Sequence, residues 1–268
     1  MVKCIVIGAA GRMGIRIINA IHNTEGVKLV GAVESKGHSR IGFDAGELSG
    51  IGKIDIPIID SFEEIDSDFD ALIDFTIPES SLNSLDYVAL KKKAAVIGTT
   101  GFSQQQTERI RKLAEGFPCV FAPNMSVGIN LMFKIISQLA QVLQDDYDIE
   151  IIESHHRLKK DAPSGTAVKM AQILANTLKR DLDQVAVHQR KGLIGERSRE
   201  EIGIQVIRAG DIVGEHTVLF AGPGERLEIT HRAHSRDTFA QGAVKASQWV
   251  VRQHPGLYDM EDVLGLKQ

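Results

Sequence analysis

The chain has 268 residues, 43% hydrophobic and 25% charged, with a formal net charge of -4. That length suits one large domain or two medium ones with a sizeable core. The acidic balance excludes a general nucleic-acid binder, which needs a basic footprint, and no apolar run reaches the roughly 18 residues of a membrane span. The N-terminus passes straight into an apolar run without a cleavable signal pattern, so a cytoplasmic protein is expected. Cys4 and Cys119 lie in apolar, strand-like runs and read as buried thiols rather than a disulfide. No Cys/His spacing resembles a zinc site, and no metal is expected.

Taken in order, residues 3–7 form a short apolar run of the kind found in buried parallel strands. It ends in Gly8-Ala9-Ala10-Gly11-Arg12-Met13-Gly14, after which Ile15, Ile17, Ile18 and Ile21 mark the apolar side of a helix. Residues 27–33 are a second strand, closing on Glu34. A βαβ unit with a glycine-rich first turn seats a pyrophosphate on a helix N-terminus, and the acidic residue after strand two completes the dinucleotide fingerprint. The spacing here is G-x-x-G-x-x-G. Glu34 suits the adenosine ribose of NADH, whereas Ser35, Lys36, His38 and Arg40 suit the 2′-phosphate of NADPH, so both cofactors stay open.

Residues 37–52 read as an irregular, glycine-rich excursion. Strands at 71–75, 95–98 and 119–122 then alternate with helices at 78–92 and 103–115. In a doubly wound sheet, ligands lie beyond the carboxyl ends of the strands. Phe75-Thr76, Gly98-Thr99-Thr100 and Ala122-Pro123-Asn124 all occupy such ends.

From Ser126 the alternation changes. A helix over 128–143 leads into Asp148-Ile149-Glu150-Ile151-Ile152, which alternates like a half-buried strand. Strands over 203–208, 215–220 and 226–231, separated by glycine-rich turns, suggest an antiparallel or mixed sheet. A helix over 237–252 follows, with Phe239, Ala243, Ala246 and Val250 on one side; Arg236, just before it, is either a hinge or substrate-facing cation or a surface charge.

The densest chemistry lies in Glu153-Ser154-His155-His156-Arg157-Leu158-Lys159-Lys160-Asp161-Ala162-Pro163-Ser164-Gly165-Thr166. Two histidines and three cations stand at a strand end, and Ser164 caps a following helix. Cations beside a helix N-terminus suit a small anion, and histidine suits proton transfer because its pKa lies near operating pH.

With these motifs in place, the chain resembles the 4-hydroxy-tetrahydrodipicolinate reductase family, formerly dihydrodipicolinate reductase. The resemblance runs through nearly the whole chain. It rests on Gly8 to Gly14, Gly98-Thr99-Thr100-Gly101-Phe102, Ser126-Val127-Gly128, the string from Glu153 to Thr166, Arg208 to His216 and Glu225 to His231. It implies an α/β chain with an N-terminal Rossmann domain over 1–126 completed by 237–268. It also implies an α+β substrate-binding and oligomerisation domain over 127–236, with a mixed sheet that builds a homotetramer. The implied reaction reduces a cyclic dicarboxylate with NADH or NADPH and releases water. Carried over by position, His155 looks like the proton donor or acceptor and Lys159 like a second donor, with Lys160 only solvated. His156, Ser164, Gly165 and Thr166 look like substrate contacts. Cofactor contacts would be Gly8, Ala9, Ala10, Gly11, Arg12, Met13, Glu34, Gly98, Thr99, Thr100, Ala122, Pro123, Asn124 and Met125. Two departures remove positive charge near the cofactor groove: Ser35 and Ile77 stand where many members carry arginine.

Overall fold

Short apolar runs that are buried on both faces become the parallel strands of the first half of the chain. The computed structural model describes residues 1–65 and 68–267. In chain order its elements begin with β1 (Val2–Ile7), α1 (Gly14–His22), β2 (Val27–Val33), α2 (Ala45–Ser49), β3 (Ile58–Ile59), β4 (Ala71–Asp74), α3 (Pro78–Lys91), β5 (Ala94–Ile97), α4 (Gln104–Ala114) and β6 (Pro118–Phe121). Next come α5 (Val127–Leu143), β7 (Asp148–His155), α6 (Gly165–Thr177), α7 (Leu182–Val185), β8 (Ala186–Val187), β9 (Ile202–Arg208), β10 (Gly214–Gly222) and β11 (Glu225–Ala233). The chain closes with α8 (Asp237–Val250), β12 (Gly256–Tyr258) and α9 (Met260–Val263). Two units result, Met1–Val127 with Arg236–Gln268, and Gly128–Ser235.

The first unit is a seven-stranded sheet in the order β12-β6-β5-β4-β1-β2-β3, parallel throughout. The order reverses between β1 and β4, the topological switch point where such sheets bind ligands. Helix α8 returns to this unit because its apolar side has a core to join: Ala240, Ala243, Val244 and Val250 pack with Val6, Ile17 and Val96. Its Gly242 lies so close to the backbone at Met125 that a Cβ would sit 1.8 Å from the Met125 carbonyl oxygen.

Residues 37–52 are less irregular than their composition suggests. They contain α2, because the Asp44 carboxylate caps it through the Gly46 and Glu47 N–H groups and also accepts from Ile54 and Ile56. Strands β3 and β12 are too short to leave a periodic signal; they exist because edges of the parallel sheet offer them partners. Both cysteines are free and buried. Among the described residues no helix is long and apolar enough to cross a membrane.

The second unit is a mixed sheet in the order β11-β10-β7-β9-β8. β10 runs antiparallel to β7 and β11, whereas β9 runs parallel to β7. Ile129, Phe133 and Ile136 of α5 and Met170 and Leu174 of α6 pack against Ile149, Ile151, Val218 and Phe220. Strand β7 alternates strictly over eight residues, so Ile149, Ile151, Glu153 and His155 share its buried face. It extends past Ile152, where the apolar alternation ends, because the Glu153 and His155 side chains find polar partners on neighbouring elements.

Replacing Gly242 with alanine should force α8 away from Met125. A loss of about 1–3 kcal/mol or more is expected for such overpacking, read as a lower denaturant midpoint; an unchanged midpoint would refute the close approach.

Candidate active site

In the first unit the ends of β1, β2 and β4 open onto a cleft of about 540 Å³. Gly8, Gly11, Arg12, Met13, Gly14, Glu34, Ser35, Lys36, Phe75, Thr76 and Ile77 line it. The turn into α1 is too tight for side chains. Gly8 has a φ of +69°, and a Cβ there would meet Thr76 Cγ2 at 2.7 Å, while a Cβ on Gly14 would lie 2.1 Å from the Gly8 carbonyl oxygen. Helix α1 begins without a side-chain cap, which leaves its positive end available to an anion. One Glu34 carboxylate oxygen accepts from the Ala10 N–H at 3.1 Å and the other from the Ser35 N–H at 2.8 Å. The loop and the acidic residue are therefore one hydrogen-bonded unit. These features fit a dinucleotide.

The other expected cofactor positions are placed differently. Ala9, Ala122 and Met125 are buried in the core. Thr99 is buried too, its hydroxyl bonded to the Thr76 N–H and to Ser81 and Asp74. Gly98, Thr99 and Thr100 follow β5, and Ala122 to Met125 follow β6, so they occupy the next strand ends of the same sheet. Arg236 joins Arg12 and Arg16 around a separate pocket of this unit. Burial, and then the neighbouring charges of Arg12 and Arg16, push its pKa below the usual arginine range.

The second unit gathers a polar cluster at the end of its buried sheet face. Glu153 is fully buried. Its Oε2 lies 2.5 Å from His155 Nδ1 and accepts from Arg208 Nη1 at 2.8 Å; its Oε1 accepts from Arg208 Nη2 and from the Ser164 N–H, both at 2.9 Å. Strand register supplies these neighbours, since Arg208 pairs with His155 and His216 with Glu153. The Ser164 hydroxyl accepts from the Ala167 N–H and lies 3.0 Å from His216 Nε2. Both polar groups of Ser164 are thus engaged internally, and the start of α6 meets solvent at the exposed Gly165. Lys159 is half-buried and pairs with Asp161 at 2.9 Å, whereas Arg157 and Lys160 are exposed. His156 Nδ1 is buried with no hydrogen-bond partner among the described residues. Among the described residues no group of three or more His, Cys, Asp or Glu side chains is placed to hold a metal ion.

Burial works to raise the Glu153 pKa, but hydrogen bonds from Arg208, His155 and Ser164 outweigh it and hold the carboxyl below its usual range. For His155, burial dominates and lowers the pKa; Glu153 opposes this, and Lys159 and Arg208 reinforce it. Burial and then the charge of His155 push His216 down to about 3. The sequence singles out His155 and Lys159 but assigns no role to Glu153, Arg208 or His216. Glu153 was findable, two residues from His155 and hence on the same strand face. Arg208 and His216 reach the site only through long-range register.

A dinucleotide-type Rossmann sheet, joined to a separate mixed-sheet unit with a carboxylate-bound histidine, defines a nicotinamide-dependent oxidoreductase. Two family models make this specific: "Dihydrodipicolinate reductase, N-terminus" matches residues 2–125, and "Dihydrodipicolinate reductase, C-terminus" matches 128–264. The chain belongs to the dihydrodipicolinate reductase family. It is 57% identical over 267 residues, all of both chains, to a protein of Syntrophus aciditrophicus named 4-hydroxy-tetrahydrodipicolinate reductase. A protein of the same name from Geotalea uraniireducens is 54% identical, again over all of both chains. The structure of a dipicolinate-bound dihydrodipicolinate reductase from Paenisporosarcina sp. TG-14 is similar with a TM-score of 0.75, at 26% identity over 97% of each chain.

The buried groups set a pH dependence. With His216 at about 3 in the folded chain and about 6.5 unfolded, the unfolded state binds more protons between those values. Stability therefore falls as pH drops through that window, by about 1.4 kcal/mol per pH unit for one group. Glu153 adds to this, since its contribution is lost as pH falls through its depressed folded pKa. Denaturant midpoints between pH 7 and 4.5 should fall less steeply for His216→Gln than for the wild type; parallel profiles would contradict the burial argument.

Proposed function

We infer that this chain reduces 4-hydroxy-2,3,4,5-tetrahydrodipicolinate to 2,3,4,5-tetrahydrodipicolinate with NADH or NADPH, releasing water, in the diaminopimelate route to lysine. Family membership supports the reaction. The observation that carries the site is the Glu153-bound His155 beside Lys159 and the start of α6.

The reduced nicotinamide, when bound, supplies the hydride. Gly8, Gly11, Arg12, Met13 and Glu34 hold the cofactor in the first unit's cleft, and Ala9 and Ala10 shape the turn. At the neighbouring strand ends Gly98, Thr100, Pro123 and Asn124 stay accessible to the rest of the cofactor, whereas Thr99, Ala122 and Met125 are buried behind them. Glu34, fixed by the Ala10 and Ser35 amides, keeps negative charge where a ribose hydroxyl can donate, which favours NADH. Lys36 lines the same cleft and leaves NADPH usable.

A dicarboxylate substrate needs two anion sites. The backbone at Gly165 and Thr166, where the 13-residue α6 begins, supplies one, and His156 with the nearby cations supplies the other. That a solved relative is named as dipicolinate-bound supports a ring dicarboxylate here. Lys159 and His155 exchange the proton that balances the hydride and the departing water. His155 suits the task because burial lowers its pKa below the ordinary histidine value, so its protonated ring releases a proton more readily.

The chain acts as a cytoplasmic homotetramer. Ile152, Ile207 and Leu219 point to the sheet face away from the α5 and α6 core, which supports association through that face. Light scattering should then give four copies of the 29.3 kDa chain; a monomer would refute it.

His155→Gln and Lys159→Met should each lower kcat by about 10²–10⁴-fold, and near wild-type kcat in both would overturn the roles. Comparing kcat/KM for the two cofactors tests Glu34, and a preference above about a hundredfold for NADPH would reject the NADH reading.

A further inference from the structure

We propose that Glu153 and Arg208 are positioning residues that lock the proton of His155 onto Nδ1, making Nε2 the nitrogen that exchanges a proton with substrate. The proposal rests on the proton-transfer role of His155 given above.

Arg208 Nη1, Arg208 Nη2 and the Ser164 N–H all point at the Glu153 oxygens at 2.8–2.9 Å. None of these groups can accept a hydrogen bond. Both carboxylate oxygens therefore act as acceptors, and although burial opposes it, the bidentate Arg208 grip holds the carboxyl below its usual range and keeps Glu153 ionised. The remaining contact, 2.5 Å between Oε2 and His155 Nδ1, then has only one donor, the Nδ1–H. His155 keeps that proton whether its ring is neutral or charged, and only Nε2 gains and loses one.

Arg208 is itself held in place. Nη1 donates to the Ile207 carbonyl at 2.8 Å and Nη2 to the Asp161 carbonyl at 2.7 Å. Its bidentate grip spreads the Glu153 charge over two partners, which tempers the pull of the carboxylate on the His155 proton. The groups facing His155 are Glu153 on its own strand, Arg208 on β9, His216 on β10 with ring centroids 5.2 Å apart, and Lys159, paired with Asp161, in the following loop. Gly214 on β10 faces the free nitrogen. A Cβ there would lie 3.1 Å from Nε2 and 3.4 Å from Cδ2, so the missing side chain keeps the exchanging atom open.

Nitrogen-15 NMR of the full-length chain with labelled histidine tests this without turnover. Above its titration, wild-type His155 should show a protonated Nδ1 and a bare Nε2; the opposite tautomer would overturn the proposal. In Glu153→Gln, Arg208 and Ser164 still demand an oxygen at the Oε1 position, which turns the amide nitrogen toward Nδ1. His155 should then switch to the Nε2–H tautomer, titrate at lower pH, and lose about 10²–10⁴-fold in kcat. Arg208→Gln should move the titration upward, and Glu153→Asp should restore the wild-type tautomer. Titrations that stay put, or move in the same direction in both variants, would refute positioning. Should Glu153→Gln fail to fold, the wild-type tautomer and Arg208→Gln still decide. Gly214→Ala should keep the Nδ1–H tautomer yet lower kcat at least about tenfold; unchanged kcat would refute Nε2 as the exchanging atom. Because tautomer and titration are read independently of activity, positioning can fail while His155 remains essential, and the reverse.

Discussion

Burying an ionised carboxylate costs several kcal/mol unless its oxygens are fully paired, and the second unit is arranged to pair those of Glu153. Arg208 comes from β9, the Ser164 amide from the start of α6, and His155 from the same strand face. These bonds tie two strands and a helix start to one point. They explain why β7 carries its alternation to His155 rather than stopping at Ile152. They also explain why Ser164 serves the interior more than a ligand: its amide is held by Glu153 and its hydroxyl by Ala167 and His216. A histidine in this setting sits below its ordinary pKa because burial outweighs the carboxylate beside it.

The first unit solves a different problem. Its cleft is shaped by backbone rather than by buried charge, and the decisive property of the turn is the absence of Cβ atoms at Gly8 and Gly14. That lets the end of β1 bend into α1 and present an uncapped helix start. Glu34 then closes the turn through the Ala10 amide, so a single carboxylate both holds the loop and sets an acidic group on the lining of the cleft. Position in the sheet does the rest, since the strand order reverses beside β1. On the proposed reading, a backbone cradle with a pre-set acidic rim on one unit and a pre-paired acid–base cluster on the other divide the labour of reduction into holding the cofactor and managing protons.

Much of this was legible in the chain itself. The buried runs of β1, β2, β4, β5 and β6, the glycine turn, Glu34 and the capped start of α6 are local patterns, set by steric rules within a few residues. His155 and Lys159 stood out because the string from Glu153 to Thr166 concentrates ionisable groups at a strand end, and the family resemblance then gave them roles. Residues 37–52 misled because glycine content marked a loop, while the Asp44 carboxylate gathers four backbone amides from positions 46 to 56. Short edge strands such as β3 and β12 left no signal, since a few residues cannot display a period.

Sequence alone therefore determined the fold class, the family and the presence of a strand end dense in ionisable groups, because periodicity, turn chemistry and motif spacing are written over short stretches. Tertiary structure decided which groups control that strand end. Arg208 and His216 lie far along the chain from Glu153 and reach it only because β9 pairs parallel and β10 antiparallel to β7 in one particular register. A shift of one residue would turn both side chains to the other face of the sheet, leaving the Glu153 charge without its principal partner. That register is a property of the whole packed sheet and of no single segment.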